Sequence, residues 1–281
     1  MPSLLTTLSQ SSLQDYVDCA RRFRLRYVDR LSYPAIESEP ALENERHQQE
    51  GEYFHRLVQQ YLIGIPAEQI SKLANTVNLQ RWWENFLAQP DFRSLKDFGS
   101  LLPEATLSAP LGSFRLLAKY DLIAIQNNKA TIYDWKTYRK RPRNEFLKVR
   151  MQTRVYSALL AHAGAHLNNN QSFEPEQIEM VYWFSDFPNE PARFQYNSAQ
   201  YKRDWDLLLK LSDEIKSASL RQAQGNASYP LTDDRTKCLY CPYRSYCERG
   251  VRAGDSDQAE AEMEAEELFD VNFEQIGEIA F

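Results

Sequence analysis

From residue 9 to residue 31 the apolar positions Leu13, Tyr16, Val17, Phe23 and Tyr27 recur at helical spacing, preceded by the candidate caps Ser9, Ser11 and Ser12. This predicts a first helix. A Pro-containing stretch, 32–40, separates it from a second helix over about 42–63, whose buried stripe is Phe54, Leu57, Val58, Tyr61 and Leu62. Residues 66–98 read as one or two helices bearing the pair Trp82 and Trp83. A strand is expected around Leu102–Leu107, a turn at Pro110–Gly112, and a β-hairpin over Leu116–Lys136. In that hairpin Gln126-Asn127-Asn128-Lys129 joins two apolar runs, and Asn tolerates the positive φ a tight turn needs. A helix over about 145–163 follows, with Leu147, Met151, Val155, Leu159 and Leu160 on its core face. After a polar turn at 168–171 come strands at 178–184 and 192–196, then an amphipathic helix over 201–220. Helices, three strands, a helix, two strands and a helix describe a mixed α/β domain.

The hairpin also carries charge. Asp121 lies in its first strand; Asp134 and Lys136, two apart in the second, point to the same sheet face. If Asp121 shares that face, two carboxylates and an ammonium converge among apolar strand residues. Such charges cost free energy unless a metal or a highly charged ligand compensates them. His55 flanks the stripe of the second helix, one turn after Gly51. A helical glycine costs roughly 1 kcal/mol relative to Ala, and it permits close approach of another group. A lone histidine in that position is otherwise a packing residue. Glu104 sits in the preceding strand with its facing open. Directly after Lys136, Arg139–Arg143 (RKRPR) forms a basic loop. Arg21, Arg22, Arg24 and Arg26 of the first helix are either a solvated face or a phosphate-binding ridge. Gln152 and Tyr156, four apart, share one side of their helix.

At 281 residues, 43% hydrophobic and 26% charged, the chain is long enough to bury a core and is expected to be one soluble domain. It has no apolar run of about 18 residues for a membrane span, and its start lacks the pattern of a secretory signal. A cytoplasmic location is the default expectation. The net charge of −6 is unevenly placed. Residues 251–281 hold ten acids and one base, Arg252, which leaves 29 acids against 32 bases over residues 1–250, a net of +3. A mildly basic body with an acidic tail is compatible with a nucleic-acid partner without demonstrating one. The tail reads as disorder, as a partner-docking segment punctuated by Leu268, Phe269, Val271, Phe273 and Ile276, or as an autoinhibitory mimic of DNA.

The four cysteines are Cys19, Cys238, Cys241 and Cys247. Two residues between Cys238 and Cys241 let both sulfurs reach one metal centre, with Cys247 close behind and Cys19 coming from the far end of the chain. Zinc and an iron–sulfur cluster both accept four thiolates, and spacing separates them poorly. Either would staple the first helix to the C-terminal segment.

Taken together, these features resemble the PD-(D/E)xK nuclease superfamily in its RecB-like branch. Its closest groups are the nuclease domain of AddB-type helicase–nucleases and the CRISPR-associated RecB-like exonucleases. The run Ser12–Phe23 looks like the branch's opening motif and Gly51–His55 like its glycine–histidine motif. Asp121 resembles the motif aspartate, Asp134-Trp135-Lys136 the D-x-K element, Gln152 and Tyr156 the Q-x-x-x-Y helix, and the last three cysteines the C-terminal cluster motif. Two departures stand out: Leu117–Tyr120 lacks the glycine often found before the motif aspartate, and Ala20 follows Cys19 where proline is common.

The resemblance implies a restriction-endonuclease-like core, a mixed central sheet flanked by helices, over residues 1–250. It further implies a helical insert at about 42–98, a cluster-binding end at 236–250, and the acidic tail 251–281 outside the domain. It implies Mg²⁺ or Mn²⁺ held by Asp121, Asp134 and His55, with Lys136 acting on the attacking water or the developing charge and Glu104 as a secondary catalytic candidate. The cysteines would hold a [4Fe–4S] cluster in preference to zinc. Gln152, Tyr156, Arg139, Lys140, Arg141, Arg21 and Arg22 would bind DNA. The expected activity is exonucleolytic, on single-stranded DNA ends in repair or recombination. Alternatives are a CRISPR spacer-acquisition nuclease working with an integrase, or a non-catalytic DNA-binding subunit of a helicase–nuclease. No G-x-x-x-x-G-K-[ST] motif occurs, so a helicase would be a separate chain.

Overall fold

Among the described residues six strands form one mixed sheet: β1 (Thr7–Leu8), β2 (Ser100–Leu111), β3 (Phe114–Gln126), β4 (Lys129–Lys136), β5 (Ile178–Phe184) and β6 (Phe187–Gln195). The computed structural model describes residues 5–31, 39–93, 95, 99–226, 228–239 and 241–250, with the side chains of 39–45 excluded. The acidic tail and its proposed roles lie outside the described residues.

β3 is the spine. β2 pairs antiparallel along one of its edges, from Ser100↔Ile125 to Leu111↔Phe114. Two strands divide the other pairings: β4 runs antiparallel to Leu122–Gln126, and β1 lies parallel at Arg115 and Leu116. β4 then pairs parallel with β5, which is antiparallel to β6. The β3–β4 turn is the expected one, with Asn127 and Asn128 at φ 51° and 60°, both left-handed as a two-residue hairpin turn requires. β1, only two residues long, has no counterpart among the sequence expectations.

Face alternation slips at one place. Leu116, Ala118 and Tyr120 enter the larger core with Ile123 and Ile125, whereas Leu122 and Ala124 enter the other. The change of parity falls at Asp121. On β2 it falls at Glu104, between Pro103↔Leu122 and Ala105↔Tyr120, and Glu104 has φ +55°. Both strands therefore twist at one level without losing register, and a non-glycine residue in the left-handed region marks the point.

Helices cover both faces. On one lie α1 (Gln10–Asp18), α2 (Ala20–Phe23), α7 (Asn144–Val149), α8 (Met151–Ala163) and α9 (Ser198–Ala223). The other carries α3 (Glu39–Leu62), α4 (Ala67–Ser71), α5 (Val77–Ala88) and α6 (Pro90–Arg93). The second face is packed with rings: Phe86 stacks on Phe92 at 4.7 Å, and Phe92 meets Trp135 edge-on at 5.0 Å.

The first helix is not continuous, contrary to the periodicity. Cys19 is extended (φ −162°, ψ 106°) between α1 and α2, and a π-helical turn, Arg24–Val28, follows. The helix expected over 145–163 likewise breaks at Arg150, which has ψ 146°. The far end of the chain folds back on α1 and α2. Lys237 Nζ lies 3.0 Å from Asp18 Oδ1, Arg21 N donates to Pro230 O (3.1 Å), and Tyr243 OH donates to Leu31 O (2.8 Å).

α3 is docked against the end of β4 through Gly51, where a Cβ would lie 2.7 Å from Thr137 Oγ1. Four residues earlier, His47 Nε2 is 2.7 Å from Thr137 O. Ala at an open helical position gains roughly 1 kcal/mol over Gly, whereas overpacking costs about 1–3 kcal/mol. In a denaturant double-mutant cycle we expect Gly51→Ala to destabilise wild type and to stabilise Thr137→Ala, with coupling of about 1–3 kcal/mol. A stabilising Gly51→Ala in both backgrounds would show that the contact does not matter.

Candidate active site

Beyond Leu122↔Tyr133 the β3–β4 ladder stops, and the two strands form a fork. Side chains take over the hydrogen bonding there. Trp135 N donates to Asp121 Oδ2 at 2.8 Å, and the Tyr156 hydroxyl donates to Lys119 O at 2.6 Å. Asp121 is thus held at the crotch by the neighbouring strand's backbone. Its second oxygen, Oδ1, faces His55 Nδ1 at 3.3 Å. The expected approach permitted by Gly51 is what brings His55 there, since Gly51 seats α3 one turn away on Thr137.

Asp134 and Lys136 share the face of β4 that looks toward α8, as their spacing predicts. Lys136 Nζ lies 2.9 Å from Asp134 Oδ2 and donates to Gln152 Oε1 at 3.1 Å. Gln152 Nε2 donates to Asp134 Oδ1 at 2.8 Å. The amide orientation follows from chemistry, because its oxygen must face the ammonium and its NH₂ the carboxylate. The Lys136 side chain is fully buried, with its ammonium 5.6 Å from the ring centres of both Tyr138 and Tyr182. A charge so placed is tolerable only because it is paired.

Burial pushes the Asp121 carboxyl up, but His55, the Trp135 N–H and Lys136 outweigh it, and the net shift is downward. Asp121 is a carboxylate at neutral pH. Burial, reinforced by the charges of Asp134 and Asp121, pushes the Tyr156 phenol well above its ordinary value, so it stays a donor.

Gln152 and Tyr156 therefore point into the site's framework. Gln152 braces Asp134 and Lys136, and Tyr156 stitches α8 to β3. Glu104 stands opposite Asp121 across the β2–β3 pair and is ion-paired with Lys119. Two expected DNA-binding arginines are occupied elsewhere. Arg22 is buried against Asp15 (2.7 Å) and Asp18 (3.0 Å), seven and four residues before it. Arg141 donates to Glu190 O, Pro142 O and Asn144 Oδ1. Arg139 is half-buried and Lys140 exposed, and Arg21 lies near the Cys247 thiol and favours its charged form.

One positioning residue escaped the sequence reading. Gln14 Oε1 accepts from Met151 N at 3.0 Å, which fixes the first turn of α8 just before Gln152. Nothing in the pattern marks Gln14 except its place in the run Ser12–Phe23.

The four cysteines are free thiols, all partly buried. Among the described residues no three His, Cys, Asp or Glu side chains are arranged to hold a metal ion as they stand. The thiols are nevertheless neighbours, for Cys19 acts electrostatically on each of the other three. Burial pushes Cys241 up to about 11 and raises Cys238 and Cys247, opposed in turn by Arg22, Arg249 and Arg21. Such thiols keep their protons at neutral pH until a metal displaces them.

The family model for the PD-(D/E)XK nuclease superfamily matches residues 7–248. The chain belongs to the PD-(D/E)XK nuclease superfamily of hydrolytic nucleases. The α/β sheet flanked by helices is its core. Among solved structures the chain is similar to a "putative exonuclease" from Eubacterium rectale at 10% identity and TM-score 0.50, covering 89% of this chain and 90% of that one. It also aligns with SSO0001 at 14% identity and TM-score 0.39, covering 88% of each chain. No curated protein matches the sequence.

Gln14→Leu removes the acceptor for a buried N–H, a cost of about 1–3 kcal/mol, whereas Gln14→Glu keeps one. We expect Gln14→Leu to lower kcat about tenfold with little change in KM, and Gln14→Glu to recover most of the loss. Equal activity in the two variants contradicts a positioning role.

Proposed function

We propose that this chain is a metal-dependent deoxyribonuclease that hydrolyses phosphodiester bonds, acting as an exonuclease on single-stranded ends. The observation that carries the reading is the pairing, within one sheet fork, of Asp121 with His55 and of Asp134 with Lys136 and Gln152. Two carboxylates and an imidazole form a donor set suited to Mg²⁺ or, through the nitrogen, Mn²⁺. Asp121, Asp134 and His55 would hold such an ion, with Asp134 shared between it and Lys136. Bound there, the ion supplies charge neutralisation and an acidified water. The Lys136 ammonium would orient the attacking water or stabilise charge developing on the phosphoryl group. Preference for a threaded single strand is supported by the cover that α3 and α8 give the fork.

We further assign the four cysteines to a [4Fe–4S] cluster with a structural role. Their mutual proximity and their division between the two ends of the domain support this reading. The cluster would act as a clasp, alongside the contacts of Lys237, Tyr243 and Pro230 already described.

Nuclease assays on end-labelled single-stranded, double-stranded and circular DNA test the activity. Linear strands should be degraded with Mg²⁺ or Mn²⁺ and not with chelator, and Asp134→Ala and Lys136→Ala should each lose at least about a hundredfold. DNA binding without cleavage in either metal would instead make the chain a binding subunit. Anaerobically purified protein should show iron–sulfur absorption; a colourless, zinc-loaded protein contradicts the cluster assignment. Because the thiols hold protons when metal-free, metal retention should weaken as pH falls, by up to about tenfold per unit for each proton displaced. A pH-independent retention would contradict thiolate ligation.

A further inference from the structure

Lys136 meets aromatic faces as well as polar groups. Its side chain is fully buried, and an ammonium has three N–H donors and no acceptor of its own. Asp134 and Gln152 stand 2.9 and 3.1 Å from its nitrogen. The ring centres of Tyr138 and Tyr182 each lie 5.6 Å from the same nitrogen. A cation is drawn to the negative face of a ring within about 6 Å, most strongly where water is excluded.

Local structure puts both rings there. In the parallel β4–β5 register Asp134 pairs with Tyr182, so Tyr182 stands beside Asp134 on the face toward α8. Tyr138, two residues beyond Lys136 and past the end of β4, enters the same core. Neither ring is loose. The Thr153 hydroxyl gives its one proton to Leu147 O at 2.6 Å, so at 2.8 Å it accepts from the Tyr182 hydroxyl. Phe194 backs Tyr182 edge-on at 6.2 Å, and Phe184 lies at the same distance from Tyr138. Thr153 directly follows Gln152 on α8, so one helical turn secures both an amide and a ring that meet the ammonium.

These contacts differ in what they can do during hydrolysis. In the function proposed above, Asp134 is shared between a divalent ion and Lys136, and Gln152 is tied to Asp134 as well. Asp134 and Gln152 thus both answer to the metal. The ring faces do not, because they attract the ammonium without drawing on Asp134. We propose that Tyr138 and Tyr182 are positioning residues for the reaction: their ring faces hold the Lys136 ammonium in place while Asp134 is drawn on from its other side.

The inference rests on the nuclease reading, and the test separates the two. Core packing is indifferent to the electrons of a ring, and attraction to a cation is not. In the full chain, Tyr138 and separately Tyr182 are replaced by Phe and then by mono-, di- and trifluorinated phenylalanine. Each fluorine weakens the negative face and leaves the size of the ring nearly unchanged. Phe173, buried against Gly164 beyond the end of α8 farthest from Gln152, carries a control series. With Mn²⁺ we expect kcat to fall with each fluorine at 138 and at 182, by about tenfold across a series, with KM nearly constant. The Phe173 series should be flat. Unfolding by denaturant in chelator is the second readout. Stability should fall along the same two series, and that dependence should vanish in the Lys136→Met background. Asp134-dependent cleavage with kcat flat along both series, or falling equally in the Phe173 series, overturns the proposal and leaves the nuclease reading standing. A stability loss that persists in Lys136→Met belongs to packing and also overturns it. A loss that needs Lys136, in a protein that cleaves with neither Mg²⁺ nor Mn²⁺, keeps the hold of the rings on the ammonium and removes the nuclease reading.

Discussion

The constraint on which the rest depends is the end of the β3–β4 ladder at Leu122↔Tyr133. Backbone polar groups inside a protein need partners, so two strands part only where side chains replace the lost bonds. Asp121 takes the Trp135 N–H and Tyr156 gives its hydroxyl to the Lys119 carbonyl. The twist that changes parity at Asp121 and Glu104 delivers this geometry. Had alternation continued, Asp121 would have faced one helical layer instead of the crotch of the fork.

Around the fork, charge is handled by mutual satisfaction. Lys136, Asp134 and Gln152 form a closed set of three hydrogen-bonded or ion-paired contacts in a place without water access to the lysine. A similar set, Asp15, Asp18, Arg22, Arg26 and Lys237, ties the first helices to the C-terminal loop. Removing one partner from a buried pair costs about 3–5 kcal/mol. The two sets are joined through α1, because Gln14 beside Asp15 holds the start of α8. The cysteine region and the fork thus share α1 as a common support, with Cys19 at its end and Gln14 on the start of α8.

Much of this was readable from residues alone. The apolar runs and the Asn127-Asn128 turn located the hairpin, and the two-residue spacing of Asp134 and Lys136 gave their common face. Gly51 signalled a close approach that Thr137 makes. The break at Cys19 was hidden because Tyr16 still meets Phe23 across it, and Phe23 meets Tyr27 beyond it, both pairs at 5.4 Å. Periodicity records which core a residue enters, not whether the helix between is continuous. Arg141 looked like surface charge because the partner that occupies it, the carbonyl of Glu190, is a tertiary matter, whereas the pairing of Arg22 with Asp18 has the local i,i+4 spacing of a helix. β1 and the bracing role of Gln152 are also long-range, and no local pattern encodes them.

If the fork is a metal-dependent hydrolytic centre, a divalent ion must bind at Asp121. Manganese titration followed by electron paramagnetic resonance, on wild type and Asp121→Asn, asks this most directly. Asparagine keeps an oxygen for the Trp135 N–H while removing the charge, so the fork should survive the change. The account predicts saturable Mn²⁺ binding in wild type and its loss in a folded Asp121→Asn. Binding that is unchanged in the variant, or absent from both, would contradict it.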